Sequence, residues 1–324
     1  MRDQFARNID YLRLSITDRC NLRCLYCMPE EGVSLKKHEE ILTLEELHSI
    51  AEVAVSIGIR KIRLTGGEPL VRKGLIELIS MIKGIPGIEE LSLTTNGTRL
   101  KSRASALKNA GLDRINISLD TLDAEKYKYI TRGGDLKQVM AGIESSLEAG
   151  LNPVKINCVL VDGFNNEEIH KFVLMAENKS LHIRFIELMP IGEGQKKQDG
   201  YLPLEPVKNW LVETYGLLPS SKVTTNGPAE QYVLPGGKGT IGFIGAVSNH
   251  FCSKCNRLRV TADGKIKPCL ASDYEVDMIS VLRSGSSKDA VKEVFLQAIK
   301  AKPEGHNMKL WEEGHNRLMS QIGG

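Results

Sequence analysis

The chain has 324 residues, 41% hydrophobic and 26% charged, which is too long for a minimal domain and enough to bury a large core without staples. A net charge of +3 gives no general argument for nucleic acid, although clustered Arg and Lys would still suit an anionic ligand. No apolar run is long enough to cross a membrane, the Met1-Arg2-Asp3-Gln4 start lacks the layout of a secretory signal, and seven cysteines make an odd number, so a cytoplasmic protein without a disulfide framework is expected.

In chain order, strand-like runs are predicted over residues 11–17, 61–65, 90–95, 114–119, 153–161 and 182–188. Helical stretches are predicted between them near 43–57, 72–83, 101–110, 135–149 and 166–178. Thr43 with Glu46 reads as a capping box, and Asn165 with Glu168 as a weaker one. Strand–helix repetition implies parallel strands joined by right-handed crossovers. About six units fit before residue 190, fewer than a complete eight-unit barrel needs. The expected fold is therefore α/β, a partial open (β/α)6 TIM-like barrel over residues 1–190, with a doubly wound open sheet as the alternative.

Side chains on a strand alternate faces. Leu12, Leu14 and Ile16 oppose Arg13, Ser15 and Thr17; Ile62 and Leu64 oppose Arg63 and Thr65; Leu91 and Leu93 oppose Ser92 and Thr94. Ile115, Ile117 and Leu119 oppose Asn116, Ser118 and Asp120, while Val154, Ile156 and Cys158 oppose Lys155 and Asn157. A parallel strand packed on both faces should be apolar nearly throughout. Five successive half-polar strands predict a polar, ligand-filled interior beneath an apolar face covered by helices, and Cys158 is assigned to packing.

From about residue 191 the composition shifts. A helix over 206–215, strand pieces near 231–234 and 240–246, a hairpin at 258–262 turned by Asp263-Gly264, and helices near 276–283 and 287–300 predict an α+β extension over residues 191–324.

Six of the cysteines form two triplets. Cys20, Cys24 and Cys27 follow the first strand as C-x3-C-x2-C; Cys252 and Cys255 form C-x2-C, and thirteen residues later comes Cys269. A structural zinc site wants four ligands, whereas a 4Fe–4S cube held by three thiolates keeps one iron open. Zinc completed by His38 at the first triplet, or by His250 at the second, is the competing reading. Gly66-Gly67-Glu68-Pro69 follows the second strand, where glycines admit close backbone approach to a ligand and Glu68 would meet a positive amino group. Arg257 and Arg259 share one strand face and would suit a polyphosphate.

The first triplet, Tyr26 before its last cysteine, and the glycine motif resemble the radical S-adenosylmethionine superfamily. Leu12 through Asn21, Thr65 through Leu70, Leu93 through Gly97, Ile117 through Asp120, Phe251 through Arg259 and the Gly323-Gly324 end narrow that resemblance to the GTP cyclases of molybdenum cofactor biosynthesis. The resemblance implies two 4Fe–4S clusters and S-adenosylmethionine (SAM) as cofactors and GTP as substrate. An adenosyl radical would take hydrogen from ribose carbon 3′, and guanine carbon 8 would then be attacked. It further implies that Tyr26, Gly66, Gly67, Glu68, Ser118 and Met189 meet SAM. Arg13, Arg63, Thr94, Lys155, Arg257 and Arg259 would bind GTP, and Arg13, Gly323 and Gly324 would act in catalysis. A reductant such as flavodoxin or ferredoxin and the next pathway enzyme are the implied protein partners, with a homodimer left open and neither nucleic acid nor membrane expected. One departure is visible: Ala6 stands before Arg7 where the family usually has glycine. A peptide-modifying radical enzyme and a zinc-stabilised binding protein are the alternatives.

Overall fold

The computed structural model describes residues 1–220, 227–308, 311 and 317–323. Strands β1 (Tyr11–Ser15), β2 (Lys61–Thr65), β3 (Glu90–Thr95), β4 (Arg114–Ser118), β5 (Val154–Leu160) and β6 (Leu181–Glu187) pair in parallel and in sequence order. Parallel neighbours need crossovers, and helices supply them. These are α1 (Leu44–Ser56), α2 (Leu75–Lys83), α3 (Ala104–Asn109), α4 (Ala124–Thr131) with α5 (Leu136–Glu148), and α6 (Ile169–Asn178).

Local chemistry sets the boundaries. Thr43 and Glu46 form the expected capping box at α1, each side chain accepting the other's backbone N–H at 3.2 and 2.8 Å. Asn165 does not cap: its amide donates to the carbonyls of Asp120 and Val159 and accepts from Val161, locking the turn after β5. The expected first strand ends early, at Ser15. Ile16 still donates to Thr65 at 2.9 Å, and the chain then leaves the sheet toward the first cysteines. Helix α4 lay outside the predicted set. Its polar sequence shows little periodicity, and Asp123, accepting from Lys126 N at 2.9 Å, caps it.

The apolar strand faces pack under the helices as expected. Leu12, Leu14, Ile62, Leu64, Leu91, Leu93, Ile115, Ile117 and Ile156 are fully buried in one core, and Cys158 is among them. Each such side chain contributes about 1.5–3 kcal/mol by leaving water.

The second part of the chain completes the same sheet. After α7 (Leu204–Tyr215) come β7 (Leu218–Pro219), β8 (Glu230–Val233) and β9 (Thr240–Ile244), and β9 pairs in parallel with β6. Then β10 (Arg257–Val260) pairs in parallel with β1, and β11 (Lys265–Lys267) and β12 (Val276–Asp277) continue outward. Helices α8 (Ile279–Arg283) and α9 (Lys288–Lys300) follow. The strand order 12-11-10-1-2-3-4-5-6-9-8-7 leaves the barrel open. No helix among the described residues is long and apolar enough to cross a membrane.

Candidate active site

One cavity collects the polar strand faces. Arg13, Arg63, Thr94, Ser118, Asn157 and Arg184 line it from β1 to β6, joined by Arg257 and Arg259 of β10. Register explains the clustering: Arg13 is level with Arg63 on one side and with Arg259 on the other. Burial and the neighbouring Arg259 and Arg63 hold Arg13 well below the usual arginine range. Burial is also the main cause that brings Arg63 and Arg259 down to about 10. Cations crowded in this way are costly unless an anion joins them.

Unpartnered polar atoms lie on and behind the wall of this cavity. Thr94 Oγ1, Lys155 Nζ, Asn157 Oδ1, Arg184 Nε and Arg259 Nη1 are buried without a hydrogen-bond partner. Each such group costs about 1–3 kcal/mol if left unpaired, so together they describe a place made for a polar ligand. Lys155 stands behind the cavity wall rather than on it; burial, Arg114 and Arg184 push its ammonium down to about 5. Arg184 was not among the predicted site residues, although it continues the polar alternation on β6 with His182, opposite Ile183 and Phe185.

Cys20, Cys24 and Cys27 open onto this cavity from the loop after β1. The end of α4 holds that loop: Arg23 N and Leu25 N donate to Thr131 and Ile130, and Arg132 donates to the carbonyls of Arg23 and Met28. Gly66 and Gly67 lie so close to Thr17 and Arg19 that an added Cβ would stand 2.5 and 2.4 Å from their carbonyl oxygens. Glycine is therefore required for the strand-end loop to dock against the cysteine loop. Gly66, Gly67, Tyr26, Ser118 and Met189 all line the cavity.

Glu68 is fully buried beside the glycine loop. It is absent from the cavity wall, and its carboxylate accepts from Leu70 N, Thr95 Oγ1 and Asn96 N at 2.9, 2.7 and 2.7 Å. Three donors, two on Oε1 and one on Oε2, clip the glycine loop to the end of β3 and leave one acceptor site of the carboxylate open. Tyr26 donates to Asp120 at 2.6 Å, and burial pushes the Asp120 carboxyl up to about 6.

Cys252, Cys255 and Cys269 reach the cavity beside β10 and β11. Burial pushes Cys24 well up and Cys27 to about 12, with neighbouring thiols adding to both. Burial also raises Cys255, but the ammonium of Lys302 and then the guanidinium of Arg257 outweigh it and hold this thiol below the usual range. Among the described residues no three Cys, His, Asp or Glu side chains are gathered tightly enough for a single metal ion. Zinc draws its sulfurs to about 2.3 Å, whereas a cube takes one thiolate per iron around a larger body. Three thiolates per site match a cube that keeps one iron open, where a structural zinc wants a fourth ligand. His38 is exposed and off the cavity wall, while His250 is also off it but packs at 5.1 Å on His306, which lines it.

The last described residues also contribute to the cavity wall. Ser320 and Gly323 line it, and the Ser320 backbone hydrogen-bonds the Cys27 thiol. Gly323 has φ +75°, and a Cβ there would stand 2.3 Å from Thr65 Oγ1. Gly324 lies outside the described residues.

Comparison with known proteins agrees with this geometry. The radical SAM superfamily model matches residues 14–176, and the molybdenum cofactor synthesis C model matches residues 181–308. A GTP 3′,8-cyclase of Moorella thermoacetica is 53% identical over 100% of both chains. Relatives of the same name from Syntrophomonas wolfei and Pelotomaculum thermopropionicum are 51% and 50% identical, again over 100% of both chains. In fold, Streptococcus suis SuiB bound to S-adenosylmethionine is similar with a TM-score of 0.59 at 16% identity, over 88% of this chain and 68% of SuiB.

Proposed function

Because the chain belongs to the GTP 3′,8-cyclase family of radical SAM enzymes, we propose that its arginine-lined cavity is where GTP and SAM meet. The protein is a lyase that converts GTP to (8S)-3′,8-cyclo-7,8-dihydroguanosine 5′-triphosphate in molybdenum cofactor biosynthesis, with two 4Fe–4S clusters and SAM as cofactors. When bound, the first cluster with SAM supplies hydrogen-abstracting chemistry directed at ribose carbon 3′, and the second supplies an open iron for the guanine.

Cys20, Cys24 and Cys27 would hold the first cluster within residues 1–190, and Cys252, Cys255 and Cys269 the second within residues 191–324. Tyr26, Gly66, Gly67, Ser118 and Met189 line the space for SAM, while Glu68 positions the glycine loop from behind. Arg13, Arg63, Arg257 and Arg259, with Thr94, face the substrate, and Arg184 joins them. Their guanidinium groups neutralise and orient a triphosphate in a medium where bulk water no longer screens charge. Lys155 adds a cation from beneath once an anion arrives. Arg13 also holds Gly323 at the cavity wall through its carbonyl oxygen. A donor such as flavodoxin or ferredoxin and the next pathway enzyme are the protein partners this reading implies.

The observation that carries the proposal is that both thiol triplets and five arginines open onto one cavity. The test is anaerobic turnover of iron-loaded, reduced protein with SAM and either GTP or a peptide, following 5′-deoxyadenosine and the cyclised nucleotide. GTP is expected to give both products. Full iron loading with SAM cleavage but no cyclised nucleotide would reject the substrate assignment.

A further inference from the structure

Lys302 follows α9 and is 2% exposed, an unusual position for a lysine. Its ammonium donates to the carbonyl oxygens of Arg257 at 2.8 Å and Pro268 at 2.7 Å, and it also hydrogen-bonds the Cys255 sulfur. Arg257 lies just beyond Cys255, and Pro268 immediately precedes Cys269. One side chain therefore ties the C-x2-C half of the second triplet to its distant third cysteine. The backbone around it is fixed as well: Gln4 donates to the Lys302 carbonyl, and Arg7 donates to those of Pro303, Glu304 and Cys252.

Charge makes the arrangement informative. No carboxylate pairs with Lys302 among the described residues; its partners are two carbonyls and a thiol. Carbonyl oxygens solvate an ammonium but do not neutralise it, and a buried cation without counter-charge costs several kcal/mol. Arg257 and Arg259 stand on the same wall and add positive charge. The negative charge that balances this corner has to come from the thiolates and whatever they bind.

We propose that Lys302 is the counter-ion and positioning residue of the second thiolate triplet, holding Cys255 and Cys269 in register and raising the reduction potential of the cluster between them. The proposal rests on the reading that this triplet holds a 4Fe–4S cluster. Nearby positive charge and hydrogen bonds to cluster sulfurs favour the more negative, reduced state, so the direction is fixed by electrostatics.

The test uses the full chain with Cys20, Cys24 and Cys27 changed to Ala, so that only the second cluster reports. Iron content, the rate of iron loss to a chelator and the midpoint potential by EPR-monitored titration are measured. Lys302→Met is expected to move the potential to more negative values and to speed iron loss roughly tenfold, as loss of an outer partner does at other metal sites. Lys302→Arg keeps the charge and should stay near the parent potential. Lys302→Gln keeps donors to the two carbonyls but not the charge, and should follow the Met variant; it decides the matter if Lys302→Met is insoluble. An unchanged potential and chelation rate in the neutral variants overturns the proposal. Absence of iron from the parent, read before any Lys302 variant is made, overturns the cluster reading and the proposal with it.

Discussion

Arg13 on β1 donates from Nη2 to the carbonyl oxygen of Gly323 at 2.8 Å, joining the first strand to the far end of the chain. The same guanidinium lines the cavity, so one side chain joins the cavity wall to the tail.

Gly323→Ala tests that coupling. The added methyl meets Thr65 Oγ1 at 2.3 Å, and φ is +75°. A left-handed alanine costs about 1–2 kcal/mol, so cyclised nucleotide should fall by roughly tenfold or more while SAM cleavage continues. Product yield per 5′-deoxyadenosine, measured by chromatography, is the readout. A yield equal to the parent's would show that the tail has no part in turnover.

Arg317 anchors the tail from outside. It donates to both oxygens of Asp263 at 3.0 Å and to both oxygens of Glu275 at 2.6 and 2.8 Å. Bonds to charged groups contribute about 1.5–3 kcal/mol, so Arg317→Ala should release the tail and cut product formation about tenfold. Hydrogen exchange at Met319–Gln321 should rise in parallel, with Arg317→Lys intermediate. Unchanged exchange there would reject the anchor.

Lys155 predicts a proton linkage. With its ammonium down at about 5, the ligand-free side chain is neutral at pH 8. The unfolded chain then carries the extra proton, so this group makes ligand-free stability rise with pH above about 5. A polyanion restores the charge, so GTP binding takes up a proton and weakens as pH rises. Calorimetry at pH 8 in two buffers of different ionisation enthalpy should show uptake that Lys155→Met removes. Equal uptake in that variant would assign the proton elsewhere.

Ala6 sits at φ 60°, a left-handed position ahead of Arg7, whose guanidinium reaches the Cys252 carbonyl. Relief of about 1–2 kcal/mol of strain exceeds the roughly 0.5–1 kcal/mol entropic cost of glycine. Ala6→Gly should therefore raise the melting temperature by about 1–3 °C. A lower melting temperature would contradict the strain argument.

The strands were legible because two constraints act on them together: alternation along each strand, and helices that must cover one face. That pattern exposed Arg13, Arg63, Thr94 and Lys155 together. Arg184 obeys the same rule on β6, where Ile186 on the same face as His182 and Arg184 weakens the polar pattern. Helix α4 escaped because few of its residues are buried and its signal is one cap, Asp123. The charge of Glu68 is visible in sequence, while two of its three donors, Thr95 and Asn96, are brought close only by folding. Lys302 carries no local signal at all: its partners, Arg257 and Pro268, are distant in the chain.

Pairing of β1 with β10 has a consequence for biosynthesis. β1 is synthesised long before β10, so that strand's second neighbour becomes available only after β2 to β9 have emerged. Until then one flank of the barrel stays bare and the arginine ring lacks two members. A chain lacking β10 would leave one edge of β1 unpaired and the cavity without Arg257 and Arg259.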